Sequence, residues 1–151
     1  MELRSVEELM DLLYACKGVR ETGSTRVRDA GVDLHDHALR TAALLRRTRP
    51  ADKELQLTGL VQPVGRLLCP TDPAHRAARA ADAVRPLLGP RVAVLLRHHP
   101  WTGHHTDDDL ARLSHATEEA RSTGFDAGVL EDWRTVLHLV AGRNSPLGAV
   151  D

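Results

Sequence analysis

The sequence predicts an all-α protein, a single-domain helical bundle of about six to seven helices. Only 3% of the residues are aromatic, so Leu, Val and Ala must build the core, and this composition favours helix over strand. Apolar side chains recur every three or four residues in several segments, whereas no alternating strand pattern is longer than a few residues. The length of 151 residues and the hydrophobic content of 42% suit one globular domain, which we take as residues 1–151.

The first helix is predicted from a capping box at its start. Ser5 is followed three residues later by Glu8, and apolar side chains then recur as far as Leu13. The segment 18–31 has no helical period and is predicted to be a loop. Residues 1–32 are therefore expected to form an N-terminal helix and a loop.

Two further helices are predicted on either side of Pro50. The second helix spans 33–47, with apolar side chains on one face and arginines on the other. The third spans 51–68. Pro63 lies inside this third helix and should kink it, because proline lacks a backbone N–H.

The second half of the chain carries four more helical segments. In chain order, these are 74–88, 91–98, a helix capped by Thr106, and 127–140. The segment 91–98 is the most apolar of them and is expected at the centre of the core. Residues 142–151 are predicted to be a loose tail.

The charge balance excludes two classes of partner. The formal net charge is −1 and the isoelectric point is about 6.8, so neither a nucleic acid nor an anionic membrane is expected as a partner. The basic residues are almost all arginines, and only Lys17 and Lys53 are lysines. Arginine suits phosphate and carboxylate binding, but the same bias is also typical of proteins from GC-rich genomes.

The cysteine content and the N-terminus predict a cytoplasmic protein. Cys16 and Cys69 are too few for a disulfide framework or a zinc cluster, which favours a reducing compartment. The first eight residues are acidic rather than apolar, and no apolar run approaches the ~18 residues of a membrane span.

The nine histidines are unevenly placed. None precedes His35, and several fall at predicted helix ends. Imidazole is a good metal ligand and titrates near neutral pH, so histidines brought from several helix ends suit a metal site in a bundle. Four of the nine are expected to be ordinary surface or half-buried side chains, namely His104, His105, His115 and His138.

Three stretches resemble a known superfamily. They read "DHALRTAALLRR" from Asp36, "LTGLVQPVGRLL" from Leu57 and "VRPLLGPRVAVLLRHH" from Val84. Over about 33–130 the chain resembles the HD-domain superfamily, and within it the mixed-valent diiron oxygenases that cleave 2-amino-1-hydroxyethylphosphonate. The resemblance implies an HD-type helical bundle with one buried site.

The resemblance also implies candidate site residues by position. His37 matches the first histidine ligand of that family and His75 the histidine after the dyad. His99, or its neighbour His98, matches the final histidine, and Asp126 matches the late aspartate ligand.

The chain departs from the family at the dyad that gives it its name. Gln62-Pro63 stands where the family has His-Asp, and the dyad aspartate bridges the two irons there. Glutamine is at best a weak neutral oxygen ligand and proline offers none, so a normal diiron centre is not expected. His35-Asp36 is not the dyad in another register, because the family needs an earlier histidine and residues 1–34 contain none.

Arg66 replaces the histidine that follows the dyad, and it leads to the first of three functional hypotheses. In this hypothesis the protein acts on or binds a small polar or anionic metabolite by acid–base chemistry, such as isomerisation, elimination or cyclisation, and needs no cofactor. The catalytic residues would be His37, His75, His99 and Arg66. The substrate-binding residues would be Gln62, Arg97, His98 and Trp101.

Two alternatives stay open. His37, His75, His99 and Asp126 could hold one iron or another divalent metal, which would make the protein an oxygenase with a reduced metal site. The chain could instead be a non-catalytic interaction domain, with Trp101 on its surface. Phosphohydrolysis of nucleotides is not expected, because that chemistry depends on the missing dyad.

Overall fold

The computed structural model describes residues 2–19, 33–98, 108–122 and 124–144. The α-helices of these residues are α1 (Val6–Ala15), α2 (Leu34–Thr48), α3 (Lys53–Val61), α4 (Val64–Leu68), α5 (Arg76–Leu88), α6 (Pro90–Arg97), α7 (Asp108–Ser122) and α8 (Arg134–Asn144). Two 3-10 turns, Pro73–His75 and Leu130–Trp133, precede α5 and α8. This part of the chain contains no β-strand, and the predicted all-α bundle is confirmed. α3 and α4 are the two halves of the one predicted helix that Pro63 was expected to kink.

The helix starts follow from short polar side chains. Ser5 accepts a hydrogen bond from the Glu8 amide at 3.2 Å, as the capping box predicts. The Glu8 carboxylate accepts from the amide of Arg4 rather than that of Ser5. Asp33 caps α2 by accepting from the Asp36 amide at 3.0 Å. None of the described helices has the length and apolar character needed to cross a membrane.

One prediction for the later helices was wrong and another was confirmed. The last helix does not begin at Ala127, because Gly128 has a φ of +82° and its amide donates to Asp126, which forms a turn. Regular structure begins at Leu130 and continues to Asn144, so the start of the predicted tail belongs to α8. The segment 91–98 lies in the core as expected, since Val92, Leu95 and Leu96 are at most 4% exposed, whereas Val94 faces outward and is 55% exposed. Thr106 and most of the predicted loop and tail lie outside the described residues.

The core has two parts. The larger part is built mainly from Leu, Val and Ala of α1, α3, α5, α6 and α8, around the fully buried Trp133. The smaller part lies beneath α7, and its buried members are Leu44, Leu45, Leu55, Leu95, Leu113, Ala116 and Ala120. α7 therefore packs against α2, α3 and α6 through a small core of its own.

Two glycines allow close approach of neighbouring elements. Gly89 joins α5 to α6 with a φ of +95°, and a Cβ there would lie 2.7 Å from Oδ1 of Asn144. A Cβ on Gly65 in α4 would lie 2.5 Å from the backbone oxygen of Arg76. Because the obstacle at Gly65 is backbone, α4 and α5 can be this close only when residue 65 has no side chain.

Arg91 of α6 ties several helix ends together. Its guanidinium binds both carboxylate oxygens of Asp52 at 2.6 and 2.7 Å, and it reaches Asp109 at the start of α7 at 3.0 Å. Asp52 also caps α3 by accepting from the Leu55 amide. The Arg91 guanidinium therefore holds the pKa of the Asp52 carboxyl below its usual range.

We expect Gly65→Ala to lower the free energy of unfolding by about 1–3 kcal/mol, because the new methyl group must separate α4 from α5. Gly142→Ala in α8 is the matched control. A Cβ there meets nothing within 4 Å, so the better helix propensity of alanine should leave stability unchanged or raise it slightly. Urea denaturation of both variants measures the difference. Equal changes in the free energy of unfolding in the two variants would contradict the close contact between residue 65 and the Arg76 backbone.

We expect Arg91→Gln to lower the free energy of unfolding by about 1–2 kcal/mol, since charge-assisted hydrogen bonds are lost from a partly exposed cluster. The Asp52 carboxyl has a lowered pKa in the folded protein, so the stability it contributes is present at neutral pH and is lost as the pH falls below about 4. Denaturation curves between pH 7 and 3 should show a smaller acid loss in Arg91→Gln than in the wild type. If the free energy of unfolding fell with pH by the same amount in the wild type and in Arg91→Gln, this role for Arg91 would be contradicted.

Candidate functional site

A pocket of about 300 Å³ lies where the start of α2, the α3–α4 kink, the start of α5 and the second half of α7 meet. The residues that line it are Leu34, His37, Gln62, Pro63, Gly65, Arg66, Pro73, Arg76, Ala77, Ala80, Leu96, Thr117, Glu118 and Arg121. A wider and more open depression lies at the α5–α6 turn, beside Asp82, Gly89 and Asn144. The first pocket is the candidate site, because it combines enclosure with several functional side chains.

The kink after α3 places Gln62 beside α2. The Gln62 amide nitrogen donates to the Thr41 hydroxyl at 3.4 Å, and that hydroxyl donates to the backbone oxygen of His37 at 2.8 Å. The hydroxyl accepts one bond and donates the other, so the two hydrogen bonds are mutually consistent. Gln62 is therefore held to the first turns of α2, next to the histidine that shares the pocket.

His37 joins the two sides of the pocket. Its ring is buried, and Nε2 lies 2.9 Å from the backbone oxygen of Thr117 in α7. A carbonyl oxygen only accepts, so Nε2 carries the hydrogen in this contact. While it donates this bond, Nε2 cannot also offer a lone pair to a metal ion.

Three arginines from three helices line the pocket, namely Arg66 of α4, Arg76 of α5 and Arg121 of α7. Arg76 is fixed at the end of α4, where Nε donates to the backbone oxygen of Cys69 at 3.0 Å and a terminal nitrogen donates to that of Pro70 at 2.7 Å. Glu118 is the single carboxylate among the described lining residues. The formal charge of the lining is positive by two, which favours an anion in the pocket.

Three of the sequence-predicted site residues, His37, Gln62 and Arg66, line this one pocket. Arg97 and His98 do not line it. Both are exposed near the end of α6, and Arg97 pairs with Asp82 at 2.7 Å. His99 and Trp101 lie outside the described residues.

The structure does not bring His75 or Asp126 to the pocket. His75 lies in the 3-10 turn before α5 with 66% of its side chain exposed, and its Nδ1 pairs with Asp72 at 2.5 Å. Asp126 is exposed and its carboxylate accepts from the Gly128 amide at 2.9 Å. Each side chain is held by a local turn contact rather than directed inward.

The described residues do not fit the metal site that the resemblance implies. No group of three or more His, Cys, Asp or Glu side chains in this part of the chain is placed to hold a metal ion. His37, His75 and Asp126 do not converge, and Nε2 of His37 is engaged by α7.

The sequence did not indicate four polar members of the lining, Arg76, Thr117, Glu118 and Arg121. For Arg121, the helical spacing of the sequence could have indicated a place in the lining. Arg121 follows Thr117 by four residues, which puts both on the face of α7 that buries Leu113 and Ala120. A cationic side chain on the buried face of a helix is uncommon without a partner or a ligand. Arg76 gave no such signal, because its position depends on the turn that precedes α5.

Compared with known proteins, the chain matches no family model, no curated protein and no solved structure at a significant level.

Neither cysteine lines the pocket, and Cys16 is buried at the C-terminal end of α1. Its thiol donates to the Leu12 backbone oxygen at 3.5 Å, and burial, with a contribution from Asp33, raises its pKa to about 11. We expect a thiol reagent at pH 8 to modify the half-buried Cys69 at least tenfold faster than Cys16. Mass spectrometry of partly alkylated protein measures this ratio, with Cys69→Ser as the control. Fast labelling of Cys16 in that variant would contradict its burial.

Proposed function

We propose that the protein binds a small organic anion in this pocket and exchanges a proton with it through His37. The observation that carries the proposal is that arginines from three separate helices line one pocket together with a buried imidazole. We also propose the distant relationship to the HD-domain superfamily, which rests on the sequence motifs and is independent of this argument.

The charge of the lining supports an anionic ligand. A guanidinium presents a planar set of donors that matches a carboxylate or a phosphate, and it keeps its charge at all physiological pH values. Arg66 and Arg121 are half-buried, where water screens the attraction less than on the surface. Glu118, the one carboxylate among the described residues of the lining, is exposed, where water screens its charge.

The position of His37 supports acid–base chemistry. Its ring orientation is fixed by the bond to Thr117, and Gln62 is held nearby through Thr41. An oriented imidazole beside a bound anion can accept or donate one proton, which suffices for an isomerisation, an elimination or a cyclisation. The charge of the pocket alone would also serve a protein that only binds its ligand, and the His37 test below separates the two functions.

We expect Arg66→Gln and Arg121→Gln each to weaken the binding of small carboxylates and oxyanions by about 10- to 100-fold, since each removes charge-assisted hydrogen bonds. Calorimetric titration with acetate, hexanoate, benzoate, citrate and phosphate measures the change. Arg97→Gln is the matched control, because Arg97 is exposed and lies outside the pocket. A chelator should leave the affinity unchanged. Affinity that is lost with the chelator would support the alternative of a divalent metal.

We expect any proton uptake on anion binding to depend on His37, because an imidazole can gain a proton beside a negative charge and a glutamine amide cannot. Titrations in buffers of different ionisation enthalpy measure this uptake. His37→Gln should bind the anion with little or no proton uptake, since its amide can still donate to the Thr117 oxygen. Equal uptake in both proteins would restrict the proposal to ligand binding.

A further inference from the structure

The charged and the aliphatic members of the pocket lining differ in their exposure to solvent. We call Arg66, Arg76 and Arg121 the arginine rim, because all three side chains are only partly buried. We call Leu34, Ala77, Ala80 and Leu96 the apolar floor. Three members of the floor, all except Ala77, are nearly inaccessible to solvent.

The α5 helix shows this gradient within one turn. Arg76 begins the helix and is half-buried, Ala77 follows it, and Ala80, one turn further, is 2% exposed. The charge therefore lies nearer the opening and the apolar surface lies deeper. A ligand that satisfies both must carry its negative charge at one end.

The size of the pocket excludes a good fit to a bare inorganic oxyanion. A volume of 300 Å³ is that of roughly ten liquid water molecules. Phosphate or sulfate at the arginine rim would leave most of this volume to water, whereas an organic body of suitable length would fill it. Each buried methylene contributes about 0.8 kcal/mol, which is about fourfold in affinity.

We propose that the ligand is an amphipathic organic acid of roughly ten non-hydrogen atoms, with its carboxylate at the arginine rim and its apolar body on the apolar floor. This proposal rests on the anion-binding function above and adds the ligand class and its orientation. It also makes Ala77 and Ala80 the residues that set the permitted ligand length, because a larger side chain at either position would occupy the floor.

The test is a series of straight-chain carboxylates titrated into the full-length protein. From acetate through butyrate and hexanoate, the affinity should rise about fourfold per methylene. It should stop rising near octanoate, when the volume is filled. Hexanamide, which has the same body without the charge, should bind at least tenfold more weakly than hexanoate.

Two variants of α5 form a matched pair. Ala77→Leu should weaken hexanoate binding at least tenfold and leave acetate binding within about twofold, because only the longer acid reaches the floor. Ala78→Leu adds the same side chain one residue along the helix and outside the lining, so it should change neither. Leu96→Ala enlarges the floor and should move the best chain length to a longer acid. If Ala77→Leu does not fold, this shift in Leu96→Ala still tests whether the floor sets the ligand length.

The outcomes separate this inference from the function on which it rests. Affinity that is independent of chain length, or phosphate binding as tight as that of hexanoate, would overturn the amphipathic ligand and leave the anion site in place. Binding of hexanoate and hexanamide with equal affinity would overturn the anion site itself, as would the absence of binding by every acid and by phosphate.

Discussion

The ionic cluster around Arg91 is the contact on which the arrangement of the pocket depends. Two oxygens of Asp52 and one of Asp109 bind the same guanidinium, which joins the start of α3 and the start of α7 to α6. Arg49, at the end of α2, contacts both Asp108 and Asp109. Four helices are thereby held together at one end of the molecule. Because α7 supplies part of the pocket wall, the cluster acts on the pocket without lining it.

The break at Gln62-Pro63 is the second constraint. Pro63 cannot donate a backbone hydrogen bond, so the helix ends at Val61 and restarts as α4. The restart directs Arg66 into the pocket, and Gly65 lets α4 lie against the first residue of α5. The positions of Arg66 and Arg76 in the rim therefore depend on Pro63 and Gly65.

Much of the fold was predictable from the sequence because it depends on local chemistry. The capping side chains of Ser5 and Asp33 and the break at Pro63 act over a few residues and were interpreted correctly. The start of the last helix was predicted incorrectly, because Gly128 and its neighbours form a turn although their apolar spacing is that of a helix.

The site was predictable only where residues lie on regular helices. The apolar pattern predicts which face of a regular helix is buried. The residues that lie on or directly beside such helices are His37, Gln62 and Arg66, and all three line the pocket. His75 lies in a 3-10 turn, where periodicity does not determine direction, and it faces solvent. The sequence places Arg121 on the buried face of α7, but that this face meets α2 depends on a contact between residues about eighty positions apart. The resemblance assigned metal ligands by their position along the chain, and it carried no information about the packing of α7 on α2.

The small core beneath α7 makes the docking of this helix a separate cooperative event. α7 shares little apolar surface with the larger core around Trp133, and it is held by its own leucines and alanines, by carboxylates at its start and by His37. Its undocking therefore need not unfold the rest of the bundle. The anion proposed above would meet a complete pocket only in molecules with α7 docked, so its apparent affinity would be the intrinsic affinity multiplied by the docked fraction. Substitutions at Leu113 and Ala120 would then change that affinity, although neither residue lines the pocket.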